Sequence, residues 1–137
     1  MNRLSLPMDV LGRVLLGLYF LIPGIMKIVG FDGMLAYMTQ HSVPLTLPLL
    51  LITIVLEVGG GLALIAGWRT KTAAFMLAGL TLLINFFMHD FWNTYAGGSV
   101  QHELQNFIKN MAIFGGLLIV AARGAPRMSV DAARPAE

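Results

Sequence analysis

Residues 45–66, LTLPLLLITIVLEVGGGLALIA, are the stretch that decides the fold of this chain. The stretch contains one charged residue, Glu57, and is otherwise almost entirely apolar. An α-helix of about 20 such residues crosses the hydrocarbon core of a bilayer. The stretch therefore predicts a transmembrane helix.

Three further stretches on either side have a similar length and character. Together the four predict spanning helices over residues 8–29, 45–66, 72–91 and 104–122. After the first of them, apolar residues at helical spacing predict a short interfacial helix over residues 31–39. We expect residues 1–124 to form one transmembrane domain and the Ala-, Pro- and Arg-rich residues 125–137 to form a disordered cytoplasmic tail.

The composition supports the same interpretation. Of the 137 residues, 57% are hydrophobic and only 12% are charged, whereas a soluble domain is about half apolar and a quarter charged. The mean hydropathy is +0.76. Four crossings use nearly the whole length. The sequence thus predicts an all-α integral membrane protein, a four-helix transmembrane bundle with short loops.

Cysteine and charge usage exclude several classes of function. The chain has no cysteine, which excludes disulfides, thiolate metal sites and a dithiol relay. The basic residues lie at helix ends and form no stripe with interleaved aromatics, so no nucleic-acid partner is predicted.

The positions of these basic residues also predict the orientation. The loops at residues 28–44 and 92–103 contain no Lys or Arg. Cytoplasmic loops are enriched in both, so we expect both termini to face the cytoplasm. The cations that define this side are Arg3, Arg69, Lys71, Arg123, Arg127 and Arg134.

The first span contains two charged residues, Arg13 and Lys27, at depths where charge is expensive. The spacing places both on one helix face with two glycines, which allow a neighbouring helix to approach closely. Depth alone puts Arg13 within reach of Glu57. An Arg13–Glu57 ion pair would either fix the helix register or belong to a functional site, and the sequence leaves both readings open.

The remaining polar residues of the spans gather toward the outer end of the predicted bundle. For Lys27 and Lys109, snorkelling to the membrane surface is an alternative to a binding role. The sequence has no His-x-x-x-His or Glu-x-x-His spacing, so no metal site is predicted, and it identifies no catalytic residue. We expect a buried polar core that binds a cofactor, formed by Arg13, Lys27, Glu57, Asn85, His89, Asn106 and Lys109.

Several segments match a known pattern in order and spacing. They are Arg13 with LLGLYFLIPGIMKI at 15–28, the connector 31–44, EVGGG at 57–61, HDFW at 89–92, and residues 105–116 with Lys109-Asn110 and Gly115-Gly116. With these segments the chain resembles the DoxX family of small bacterial membrane proteins. The resemblance implies a four-helix inner-membrane protein whose relatives are linked to respiratory or sulfur-compound oxidation, quinone-related detoxification and oxidative stress. It supplies no catalytic motif.

These observations favour an accessory, ligand-binding component of redox or oxidative-stress metabolism. The expected cofactor is a quinone or another small hydrophobic molecule, and the expected partners are the lipid bilayer and either further copies of the chain or a membrane redox protein. A stand-alone enzyme ranks lower; an enzymatic role would be that of a quinone-linked oxidoreductase subunit. The alternative is an assembly, export or partner-binding protein without a small-molecule site.

Overall fold

The computed structural model describes residues 4–125 and 127–133, which contain six helices and no strand. Four of these helices are long and apolar enough to cross a membrane. The all-α, four-helix membrane bundle predicted from the sequence is thus confirmed. The helices are α1 (Ser5–Val29), α2 (Phe31–Gln40), α3 (Thr46–Ala66), α4 (Thr70–Met88), α5 (Val100–Arg123) and α6 (Val130–Ala133).

The spanning helices pack as two antiparallel pairs, α1 with α3 and α4 with α5, joined mainly through α3 and α4. Small residues bring α1 and α3 close together. A Cβ atom added to Gly17 would lie 2.7 Å from the carbonyl oxygen of Gly61, and one added to Gly61 would lie equally close to that of Gly17. Between the pairs, the core contains Phe20, Leu64 and Leu77. The glycines of α1 therefore set the interhelical distance.

The turn between α3 and α4 is short because a glycine ends α3. Gly67 has φ +69°, and the amide groups of Gly67 and Trp68 donate to the carbonyls of Leu64 and Ala63. This is the Schellman arrangement, which satisfies carbonyls at the helix end. We call the end of the bundle with this turn the inner end and the opposite end the outer end.

The helix ends near the outer surface differ from the predicted ones. The helix α4 ends at Met88 rather than at residue 91, and α5 begins at Val100, with the Ser99 side chain accepting from the His102 amide. His89 and Asp90 consequently lie beyond α4, in a connection that can turn them toward other elements.

The C-terminal segment also differs from the expected disordered tail. Residues 127–133 fold back onto the inner end and include the short helix α6. The carboxylate of Asp131 accepts hydrogen bonds from the amides of Arg69 and Thr70, at 2.7 and 2.8 Å, where it caps α4. The remainder of the expected tail, and the cations Arg3 and Arg134, lie outside the described residues.

Candidate functional site

A buried pair of polar side chains lies at the outer end. Nδ1 of His41, just after α2, is 3.0 Å from Oδ1 of Asp90, just after α4. The two residues are only 6% and 4% exposed. Oδ2 of Asp90 accepts from the side-chain Nδ2 of Asn93 at 2.8 Å and from the Tyr95 hydroxyl. The His41 ring lies between the rings of Tyr37 and Tyr95, with centroids 4.4 and 4.1 Å away. We call these five residues the outer cluster.

The electrostatics of the outer cluster keep Asp90 ionised. Burial raises the pKa of its carboxyl, but the hydrogen bonds from Asn93, Tyr95 and His41 outweigh burial and hold the pKa below its ordinary value. The hydrogen bond to Asp90 in turn raises the pKa of Tyr95. Burial, followed by the charges of Glu103 and Asp90, raises the pKa of Tyr37. At neutral pH the carboxylate is therefore an acceptor and both phenols are donors.

A second pair adjoins the outer cluster. His89 Nδ1 lies 2.7 Å from Oε2 of Glu103, on the first turn of α5, and the charge of Glu103 contributes to the raised pKa of Tyr37. His41 of the first pair and Glu103 of the second line a polar cavity of about 350 Å³ between α2 and the connection from α4 to α5. No group of three His, Asp or Glu side chains in the described part of the chain converges as metal ligands would.

Within the bilayer, Glu57 pairs with Lys27 rather than with Arg13. Lys27 Nζ lies 2.9 and 2.7 Å from the two carboxylate oxygens, and the side chains are 15% and 4% exposed. The register of α1 against α3 explains why Glu57 pairs with Lys27. A Cβ on Gly24 would lie 3.0 Å from that of Glu57, so Glu57 faces α1 about 16 Å from the level of Arg13. The expected Arg13–Glu57 ion pair was wrong.

Arg13 instead binds backbone carbonyls at the inner end. Its Nη1 donates to the carbonyls of Leu64 and Ile65 at 2.6 and 2.7 Å, and its Nη2 donates to that of Met128 at 3.0 Å. The last carbonyls of a helix have no partner within the helix and carry partial negative charge. The guanidinium therefore joins α1, the end of α3 and the C-terminal segment.

The other predicted site residues form separate contacts. Asn85 donates to the carbonyl of Phe107 at 3.0 Å, which joins α4 to α5. Lys109 donates to Asn106 at 3.1 Å on the exposed side of α5. The seven predicted residues thus lie in separate contacts and do not line one cavity together. A binding role for any one of them stays a prediction.

The sequence reasoning missed most of the outer cluster. The predicted site did not include His41, Asp90 or their aromatic neighbours. Polar residues inside the spans stand out because charge is expensive there, whereas the residues of the outer cluster lie on α2 and in the connections. The only local signal was a set of polar and aromatic side chains flanking both connections at the outer end.

An apolar groove runs along the faces of α3 and α4. Its volume is about 510 Å³, within the range of small-molecule sites. From Met76 to Met88 it follows α4 for about 18 Å. Thr53 is the polar side chain in a lining otherwise formed by Met38, Val43, Pro44, Leu49, Ile52, Leu56, Met76, Gly79, Leu80, Leu83, Ile84, Phe87 and Met88.

Comparison with known proteins gives a consistent picture. The family model of DoxX matches residues 8–90. The chain is 39% identical over 120 residues to the inner membrane protein YqjF of Escherichia coli (strain K12), covering 87% of this chain and 85% of the relative. It is 31% identical over 121 residues to the inner membrane protein YphA of the same organism, covering 88% and 86%.

A more distant relative is eukaryotic. The ER-derived vesicles protein ERV29 of Saccharomyces cerevisiae (strain ATCC 204508 / S288c) is 33% identical over 81 residues, which cover 58% of this chain and 25% of the relative. No solved structure matches the chain.

Proposed function

Because this chain belongs to the DoxX family of inner-membrane proteins, we propose that it binds the apolar chain of a small membrane-soluble molecule in the groove between α3 and α4. The class we put first is a quinone, in keeping with the sequence resemblance. The protein would act as a non-catalytic, accessory component of redox or oxidative-stress metabolism, with both termini in the cytoplasm.

The observation that carries the proposal is the shape and lining of the groove. Its length of about 18 Å is close to the thickness of one leaflet of the hydrocarbon core, about 15 Å. An almost wholly apolar lining suits an isoprenoid or acyl chain, which brings no hydrogen-bonding groups to satisfy.

The outer end of the groove offers a place for a polar head. Met38, Val43 and Met88 form this end, and they adjoin His41, His89 and Asp90 along the chain. A quinone ring emerging there would lie beside the outer cluster. In this proposal the polar groups of the two connections bind the head of the ligand, and Lys27 and Lys109 do not.

Filling the groove tests the proposal. Gly79 lines the groove, and a Cβ at this position meets nothing within 4 Å, so Gly79→Phe should occupy the groove without disturbing the helices. The matched control is Gly12→Phe, since Gly12 on α1 is equally open and lies away from the groove. Each protein is incubated with a long-chain ubiquinone in mild detergent, and the retained quinone is measured by mass spectrometry.

We expect the parent chain and Gly12→Phe to retain the quinone and Gly79→Phe to lose most of it. Equal retention by all three folded proteins, or none by any, would contradict the proposal. If the parent chain retains only phospholipid at the groove, the groove is an apolar binding site but its ligand is not a quinone.

One observation favours the alternative of an assembly, export or partner-binding protein. Arg13, Lys27, Glu57 and Asn85 all join helices to one another, as structural residues do. In that case a defined membrane protein should co-purify with the chain, and Gly79→Phe should not change the yield of that partner.

A further inference from the structure

A basic cleft lies at the inner end, between the start of α4 and the end of α5. Its volume is about 600 Å³. Three cationic side chains line it, Arg69 and Lys71 from α4 and Arg123 from α5, and all three are exposed. The rest of the lining is Thr70, Thr72, Gly124, Ala125, Asp131 and Ala132.

Among the described residues, the cations that line the basic cleft outnumber the carboxylates that line it. Within residues 4–125 and 127–133, none of the three takes part in an ion pair. The one carboxylate in the lining, Asp131, is directed at the first amides of α4 and at the Thr70 hydroxyl, 2.7 Å away. Three cations and one carboxylate leave the lining with a net positive charge, and a bound anion would offset that charge.

The backbone at the end of α5 builds the cleft. Gly124 has φ +74°, which turns the chain out of α5. A Cβ added to Gly124 would lie 3.1 Å from Cε and 3.3 Å from Cγ of Lys71. The aliphatic part of the Lys71 side chain therefore lies against Gly124, which follows Arg123 in the sequence. Cations from two different helices thus share one site.

The depth of the cleft identifies the kind of anion. It lies at the ends of two spanning helices, and the exposed Trp68 marks the same level, with the Arg69 guanidinium 5.8 Å above its ring. Tryptophan at a helix end favours the headgroup region of a membrane. Basic pockets between spanning helices at this level suit anionic lipid headgroups.

We propose that the basic cleft binds the phosphodiester headgroup of an anionic phospholipid. Guanidinium and ammonium groups donate charge-assisted hydrogen bonds to phosphate oxygens, and the acyl chains would continue along the apolar surfaces of α4 and α5. This site is separate from the groove between α3 and α4, because the two share no lining residue.

Native mass spectrometry of the full chain in mild detergent tests this proposal. Dioleoyl-phosphatidylglycerol is titrated against dioleoyl-phosphatidylcholine and, in a separate arm, against inorganic phosphate. The test variant is Lys71→Gln with Arg123→Gln. The control is Arg127→Gln with Lys109→Gln, which removes the same charge from residues outside the cleft lining.

We expect the parent and the control variant to bind phosphatidylglycerol in preference to phosphatidylcholine. The cleft variant should bind phosphatidylglycerol about 30-fold more weakly, as expected for two lost contacts between cations and an anionic headgroup. Should the cleft variant not fold, the charge reversal Arg123→Glu, at an exposed position, replaces it.

Three results would overturn the proposal. An equal loss in the control variant would show that diffuse charge attracts the lipid. Equal binding of the two lipids would show that the headgroup is not recognised. Displacement of the lipid by inorganic phosphate at the same concentration would show that the cleft recognises a soluble phosphate instead.

Discussion

The outer and inner halves of the bundle hold their buried charges in different ways. In the outer half, side chains pair with side chains: Glu57 with Lys27, Asp90 with His41, and Glu103 with His89. In the inner half, helix ends are the partners, because Arg13 binds the last carbonyls of α3 and Asp131 binds the first amides of α4. Both solutions give partners to groups that the bilayer cannot hydrate, although Nε of Arg13 has none among the described residues.

The two ways of pairing buried charges leave different polar surfaces at the two ends of the bundle. The side-chain pairs of the outer half give each carboxylate a side-chain partner, and a polar cavity lies beside the pairs in the connections. In the inner half, Asp131 is the carboxylate that lines the basic cleft, and it accepts from the first backbone amides of α4. The cations of the cleft form no ion pair among the described residues.

The largest expected effect comes from breaking the Lys27–Glu57 pair. Glu57→Leu leaves the Lys27 ammonium in the bundle without a counter-charge, which should lower the free energy of unfolding by about 3–5 kcal/mol. Titration with SDS in mixed micelles, followed by circular dichroism, measures this loss. The double variant Lys27→Met with Glu57→Leu should recover most of it. A double variant as unstable as Glu57→Leu alone would show that the pair is not what stabilises this interface.

A smaller effect should follow from breaking the contact of Arg13 with the helix end. Arg13→Met removes three hydrogen bonds from a charged donor, and we expect a loss of about 2–3 kcal/mol in the free energy of unfolding. Faster hydrogen exchange of residues 127–133 should accompany it, because the bond to Met128 holds that segment. The control is Lys109→Met on the exposed side of α5. Unchanged exchange in Arg13→Met would contradict a clamping role.

The smallest of the three effects concerns Asp90 and pH. Asp90→Asn weakens its hydrogen bonds to the outer cluster and should cost about 1–2 kcal/mol at pH 7. The pKa of Asp90 lies below its ordinary value of 3.8 in the folded chain. Its contribution to stability is therefore complete above that ordinary pKa and is lost as the pH falls through the folded pKa.

Thermal unfolding in detergent between pH 3 and pH 7, values chosen to bracket the ordinary pKa of a carboxyl group, measures this dependence. The difference in melting temperature between the parent and Asp90→Asn should shrink below about pH 4. A difference that stays constant down to pH 3 would mean that the carboxylate is not what the outer cluster recognises.

The sequence by itself determined the class of the protein and most of its helices. Apolar runs of spanning length depend only on neighbours along the chain, so hydropathy locates them without knowledge of the fold. The glycines facing α3 and the short helix after α1 follow from the same local periodicity. For this reason the four-helix membrane bundle was predicted correctly, with ends that differ by a few residues.

The tertiary structure alone decided which polar residues meet. Depth estimates treat each helix separately, and they paired Arg13 with Glu57, whereas the register of α1 on α3 places Glu57 opposite Gly24 and within reach of Lys27. His41 and Asp90 are separated by 49 positions and meet only because two connections converge at the outer end. Partners of buried charges are set by interhelical register and by where helices end, and neither is a local property of the sequence.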